Sequence, residues 1–128
     1  MSVQIDVSYG ELIDKITILE IKFARIADTA KLENIERELA TLNDAWLRIG
    51  IDFETVASER AELKTINEKL WDIEDRIRRK EAEKAFDEDF IELARSVYHT
   101  NDDRSRVKRA INDRLGSRLV EEKSYQPY

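Results

Sequence analysis

The charged side chains of Glu11, Asp14, Lys15, Lys22 and Arg25 interrupt a stretch that is otherwise rich in isoleucine and leucine. Far along the chain, Arg95, Tyr98, Asn101, Arg104, Lys108 and Arg109 gather cations and polar groups into a short segment. Charges on an apolar helix demand partners, because withdrawing an ion from water is costly unless it is paired. Glu11 and Lys15, four apart with the acid first, supply one pair locally. The guanidinium forks of Arg95 and Arg104 and the ammonium of Lys108 suit a carboxylate or phosphate, and positions 104 and 108 share a helical face. The chemistry on offer is the holding of an anion, extended to proton transfer if Glu11 or Asp14 serves as an acid–base group. The competing use of the same residues is structural, as ion pairs between helices or as solvated surface.

Other chemistry is thinly supplied. His99 is the only histidine, and a single histidine at a turn usually bonds locally. With no cysteine there is no disulfide, thiolate metal site or cysteine nucleophile. Glu11-Leu-Ile-Asp14 and Glu33-Asn-Ile-Glu36 match, in reverse order, the magnesium motifs of helical nucleotide pyrophosphohydrolases. Such spacings arise by chance among 28 acids, and Ile35 places Glu33 and Glu36 beside an apolar seam. Helical chorismate mutases hold a dicarboxylate with arginine and lysine, but Lys15, Lys22 and Arg25 fit their first-helix pattern poorly. No catalytic residue, metal ligand or cofactor is therefore assigned. The end of the chain, Glu121-Glu-Lys-Ser-Tyr-Gln-Pro-Tyr128, holds two tyrosines. Lys123, Tyr125 and Tyr128 are candidates for packing into a groove of this chain, a sister chain or another protein; the alternative is a frayed terminus.

The elements that must position these groups follow from periodicity. Leu12, Ile16, Leu19, Phe23 and Ile26 are spaced 4, 3, 4, 3, and so form one apolar seam. Leu32, Ile35, Leu39, Leu42, Trp46 and Ile49 form a second, and Leu63, Ile66, Leu70, Ile73 and Ile77 a third. Ser8 caps the first helix, with Glu11 completing a capping box. Asp28 or Thr29 caps a second helix, unless the first continues through, and Gly50 ends it. Asp52 caps a third helix running to about Lys84, a rod of about 45–50 Å. Asp87 opens a shorter fourth helix with apolar Phe90, Leu93, Ala94 and Val97. His99-Thr-Asn-Asp-Asp103 reads as a turn, and a fifth helix with Val107, Ala110, Ile111 and Leu115 ends at Gly116.

The expected fold is all-α: an antiparallel long-helix bundle or coiled-coil stalk of three long helices, with two shorter C-terminal helices and an extended tail. It forms one domain over 1–128: a helical hairpin at 9–50, a long helix at 53–85, two short helices at 87–116 and the tail at 117–128. The third helix outreaches the first two, so its surplus seam predicts a homo-oligomer unless the fourth helix folds back over it.

Composition narrows the function classes. The chain is 39% charged with three Gly and one Pro, against about 25% charged residues in ordinary domains. The net charge is −6. Residues 95–118 carry seven basic side chains against three acids, which leaves −10 on the remainder. That acidic remainder disfavours bulk nucleic-acid binding. No apolar run approaches the roughly 20 residues of a membrane span, and the first residues lack a secretion signal. A cytoplasmic location is expected.

Ser8-Tyr-Gly-Glu-Leu-Ile-Asp-Lys-Ile-Thr-Ile-Leu-Glu-Ile-Lys22 resembles the start of a family of short uncharacterised bacterial proteins. Leu93-Ala-Arg-Ser-Val-Tyr98, Asn101-Asp102, Lys108-Arg-Ala-Ile-Asn112 and Glu121-Glu-Lys-Ser-Tyr125 resemble its closing motifs. The resemblance brings no established activity; it implies an association with sugar-transfer or surface-polysaccharide genes. It also directs attention to the two ends of the chain as one site. The function expected is a non-enzymatic interaction or scaffold module, self-associating, with a polar site for an anion or partner segment. The alternative is a small helical enzyme or ligand-binding protein acting on a phosphorylated or carboxylated metabolite, with Arg95, Arg104 and Lys108 holding the anion.

Overall fold

The computed structural model describes residues 1–128 and contains four α-helices and no strand. The first two helices are separate. α1 spans Tyr9–Arg25, where the Ser8 hydroxyl accepts from the Glu11 N–H at 3.1 Å. α2 spans Thr29–Ile49, capped by Asp28 accepting from the Lys31 N–H at 2.9 Å. Gly50 closes α2 in the left-handed region at φ 78°, a conformation that a side chain would oppose. Asp52 caps a 3₁₀ turn at Phe53–Val56, which leads into α3 at Ala57–Glu83.

The largest departure from the sequence expectation lies beyond Asp87. There are no two short helices at 87–116. One helix, α4, runs unbroken through Glu88–Leu115. The segment His99–Asp103, expected as a turn, is helical. It holds no Gly or Pro, so its asparagine and aspartates disfavour the helix by only fractions of a kcal/mol each. Packing overrides that preference: Thr100 is buried and Asn101 half-buried. The tail after Gly116 is not helical, and it folds back along α4 rather than extending away.

α4 returns along α3. Arg114 meets Glu59 at 2.7 Å near one end, and Lys80 meets Asp87 at 2.9 Å at the other. Ile73 and Leu93 are buried along this pairing. The α3 seam expected to lack a partner is therefore covered within the chain, which removes the basis for predicting a homo-oligomer.

α1 is the central element and touches each of the other three helices. Its burial is not one narrow seam. Leu12, Ile13, Ile16, Leu19 and Ile21 are all buried, and so are the polar Asp14 and Thr17. A helix covered on most of its circumference buries residues that a seam would leave outside. Phe23, assigned to the seam, is 48% exposed. Ala110, assigned to the buried stripe of the last helix, is also exposed. The core joins Leu12, Ile13 and Ile16 to Trp46, Val56, Leu63, Val107 and Ile111. Trp46 stacks on Phe53 with centroids 4.6 Å apart.

Candidate functional site

α1 and α4 cross at contact distance, and a ladder of polar pairs marks the crossing. The Gly10 N–H donates to Asn112 Oδ1 at 2.7 Å. One step along, Lys108 donates to Glu11 at 2.6 Å. One turn further, Arg104 grips Asp14 with two donors, Nε to Oδ1 at 2.9 Å and Nη2 to Oδ2. Positions 10, 11 and 14 rise on α1 while 112, 108 and 104 fall on α4, as helices running in opposite directions require.

Asp14 has no exposed surface. A buried carboxylate of this kind needs every lone pair engaged, and α3 supplies the remaining partner. Asn67 Nδ2 donates to Asp14 Oδ1 at 2.9 Å and to Thr17 Oγ1 at 3.1 Å. Donating to the Asp14 carboxylate also holds the Arg104 guanidinium more firmly protonated than usual. Burial alone would lower the Lys108 ammonium, but its hydrogen bonds with Glu11 and Glu121 outweigh burial and raise it.

The tail completes this surface. Glu121 accepts from Lys108 at 2.9 Å, and Glu122 from Arg109 at 3.2 Å. Lys108 holds the Glu121 carboxyl below its ordinary range, so this contact persists at neutral pH and is lost as the solution is acidified through that lowered value. At the end of the chain the Tyr128 hydroxyl donates to Asp102, and its ring meets those of Tyr98 and His99 edge-on. Lys123 lies 5.8 Å above the Tyr125 ring.

Asp102 pushes the Tyr128 hydroxyl up to about 12 from an ordinary 10.0. The protonated form is the one that docks, so this anchor is intact below pH 10 and released as pH rises through about 12. A spectrophotometric tyrosine titration should show one of the four tyrosines ionising last, near 12. Asp102→Asn should return that step towards the ordinary tyrosine value of 10.0. Absence of a late step near 12 in the native chain would contradict the docked tail.

Two concave surfaces flank α4 near Asn101. One, of about 460 Å³, lies between α1, α3 and α4 and includes Asn67, Trp71, Asn101 and Arg104. The other, of about 590 Å³, lies between α4 and the tail and includes Tyr98, Asn101, Tyr125 and Tyr128.

The residues singled out from sequence thus divide into groups. Glu11, Asp14, Arg104 and Lys108 converge, with Asn101 on the adjoining wall. Tyr98, Lys123, Tyr125 and Tyr128 line the tail groove, and Arg109 holds the tail from an exposed position. Lys15 is exposed and meets only Glu11, at 3.5 Å. Lys22 is half-buried and makes no ion pair. Arg25 bonds Asp72 at 2.7 Å and lies over the Trp71 ring. Arg95 pairs with Glu92 on the solvent face and does not join the cluster. Glu33 and Glu36 are exposed on α2.

Sequence reasoning passed over Asn67, Trp71, Thr17 and the carboxylate of Glu121. A signal existed for the first. Asn67 lies four after Leu63 and three before Leu70, so it is a polar residue on a face otherwise given to leucine.

Fold and site together define an all-helical protein of four helices whose central helix carries a buried carboxylate tied to two neighbouring helices. No helix is long and apolar enough to cross a membrane. The chain belongs to a family of unknown function, DUF6165, whose model matches residues 2–128. Comparison with curated proteins and with solved structures gives no match.

Proposed function

We propose that this protein is a non-enzymatic interaction module whose cleft between α1, α3 and α4 recognises a ligand or partner segment. The observation that carries this reading is the mutual engagement of every acid–base group at the crossing. Asp14 accepts from Arg104 and Asn67, while Lys108 lies between Glu11 and Glu121. A general base must direct a lone pair at the substrate's proton within about 3 Å. These carboxylates direct theirs at one another's cations. The atoms left unpartnered on the cleft wall are amide groups and one edge of a guanidinium. Such groups orient a bound molecule and do not move protons.

The enzyme alternative draws less from this geometry. It needs Arg95, Arg104 and Lys108 to converge on an anion, yet Arg95 faces solvent and Lys108 already holds two carboxylates. Self-association is not needed for the proposed role, and α3 lends it no support once α4 covers its seam.

A thermal-shift screen against nucleosides, sugar phosphates, dicarboxylates and short peptides tests the reading, since a ligand stabilises the state it binds. The expected hit raises the melting temperature, loses that effect in Asn101→Ala, and is recovered chemically unchanged by mass spectrometry. A hit recovered as product, with turnover abolished in Asp14→Asn, would replace this reading with the enzymatic one.

A further inference from the structure

The tail lies along α4 without joining the core. The Ser117 N–H donates to the Asn112 carbonyl at 2.9 Å, and beyond it the tail makes no backbone–backbone hydrogen bond. Leu119 and Val120 are half-buried, whereas every residue from Glu121 to Tyr128 is exposed. That outer part holds α4 by side chains alone: Glu121 on Lys108, Glu122 on Arg109, and Tyr128 on Asp102, Tyr98 and His99. Of these α4 residues only Lys108 is buried. Pairs between exposed ions add little to stability.

Release of the tail would strand no charge. Lys108 keeps Glu11 at 2.6 Å and Arg109 keeps Asp113 at 3.4 Å, both on the helical body. Asp102 is exposed and would be hydrated. A segment whose departure leaves nothing buried and unpaired can be peeled away, unlike a member of the Asp14 network.

The tail is also a loose fit. Lys108 and Asp102 are six residues apart on α4, about 9 Å along the axis. The seven steps from Glu121 to Tyr128 reach about 23 Å when extended. No side chain from Lys123 to Gln126 bonds α4, and Lys123 turns back to Glu121 at 3.7 Å. A hollow of about 590 Å³ is lined there by Val97, Tyr98 and Asn101 of α4 and by Tyr125 and Gln126 of the tail. An extended segment whose carboxylates and tyrosine stand about three residues apart would cover the same 9 Å without slack.

The contacted residues form one stripe, since Tyr98, Asp102, Ser105 and Arg109 recur at spacings of 4, 3 and 4. We propose that this stripe of α4 is a docking surface for an extended acidic–aromatic peptide segment of a partner protein, which residues 117–128 occupy in cis until the partner displaces them. The tail defines the chemistry recognised: adjacent carboxylates for Lys108 and Arg109, then a tyrosine hydroxyl for Asp102 with its ring against Tyr98. A tethered occupant competes at an effective concentration on the order of millimolar, so it turns away ill-matched segments. The stripe shares only Asn101 with the cleft between α1, α3 and α4, and the two sites stand or fall separately.

Fluorescence anisotropy on the full chain tests this with two labelled peptides. The first repeats the tail, Leu-Val-Glu-Glu-Lys-Ser-Tyr-Gln-Pro-Tyr. The second, Leu-Val-Glu-Glu-Gln-Pro-Tyr, omits Lys-Ser-Tyr and carries the short spacing. Glu121→Gln, Glu122→Gln and Tyr128→Phe together unlatch the tail in place. The unlatched chain should melt within a few degrees of the native one and bind both peptides, the second at least threefold more tightly. The native chain should bind each at least tenfold more weakly. Adding Arg109→Gln to the unlatched chain, or replacing both peptide glutamates by glutamine, should weaken binding at least fivefold. Failure of both peptides to bind the unlatched chain would overturn the docking surface. Equal binding to native and unlatched chains would overturn the tail as its occupant, and equal binding of the two peptides would overturn the spacing argument. A steep fall in the melting temperature of the unlatched chain would make the tail part of the fold and not a strap. A native chain that sediments as a dimer, and as a monomer once unlatched, would reassign the surface to the tail of a second copy.

Discussion

Asp14→Ala should destabilise the fold by about 3 kcal/mol, the low end of what is found when one member of a buried ion pair is removed. The low end applies because the Arg104 side chain is 29% exposed and partly rehydrates. For a chain of this length that loss corresponds to a fall of about 10 °C in melting temperature. The cost does not measure the value of the pair. It is the cost of leaving Arg104 without its counter-ion and the Asn67 amide N–H without its carboxylate. The double variant Asp14→Ala with Arg104→Met should therefore be more stable than Asp14→Ala alone, since no uncompensated charge remains. Equilibrium urea unfolding of the two single variants and the double variant measures the coupling. A loss under about 1 kcal/mol for Asp14→Ala would mean that the crossing behaves as solvated surface pairing.

The second large effect is expected at Gly10, where the sign itself is diagnostic. At an ordinary helix position, Gly→Ala stabilises by about 1 kcal/mol through backbone entropy and propensity. Here a Cβ would lie 2.5 Å from the Lys108 carbonyl oxygen and 3.0 Å from Asn112 Oδ1. The nearer obstacle is backbone in the middle of α4, so it cannot rotate away as a side chain would. Gly10→Ala must push α1 off α4 and lengthen both the Gly10–Asn112 and Glu11–Lys108 bonds. A net destabilisation of about 1–3 kcal/mol is expected. A neutral or stabilising result in the same unfolding assay would show that the two helices do not approach so closely.

Much of the helical framework was legible because its signals are local. Ser8, Asp28, Asp87, Gly50 and Gly116 each act on backbone groups within a few residues, so their effects can be read from spacing alone. The seven-residue seams located three of the helices for the same reason. The break expected at residues 99–103 failed because local turn preference there is weak, and contacts with residues remote in sequence decided it.

The candidate site was legible in its ingredients and not in its assembly. Charges stranded on an apolar α1 called for partners, and the basic stretch around Arg104 and Lys108 was a natural source. Which charge meets which depends on the rotation and register of helices separated by 90 residues or more, a quantity on which helical periodicity is silent. Arg95 illustrates the limit: nine residues before Arg104, it shares the composition of the cluster but points from a different face of α4.

The amino-acid sequence by itself determined an all-helical chain, the caps that bound most of its helices, and the need of Asp14 for a counter-charge. Only the tertiary structure decided that Asn67 shares that carboxylate, that α4 is continuous and covers α3, and that Asn67 and Arg104 both line the cleft between α1, α3 and α4. The physical reason is one of range. Backbone hydrogen bonding and capping are settled within a turn of helix, whereas burial and ion pairing are settled by which faces meet when the helices pack.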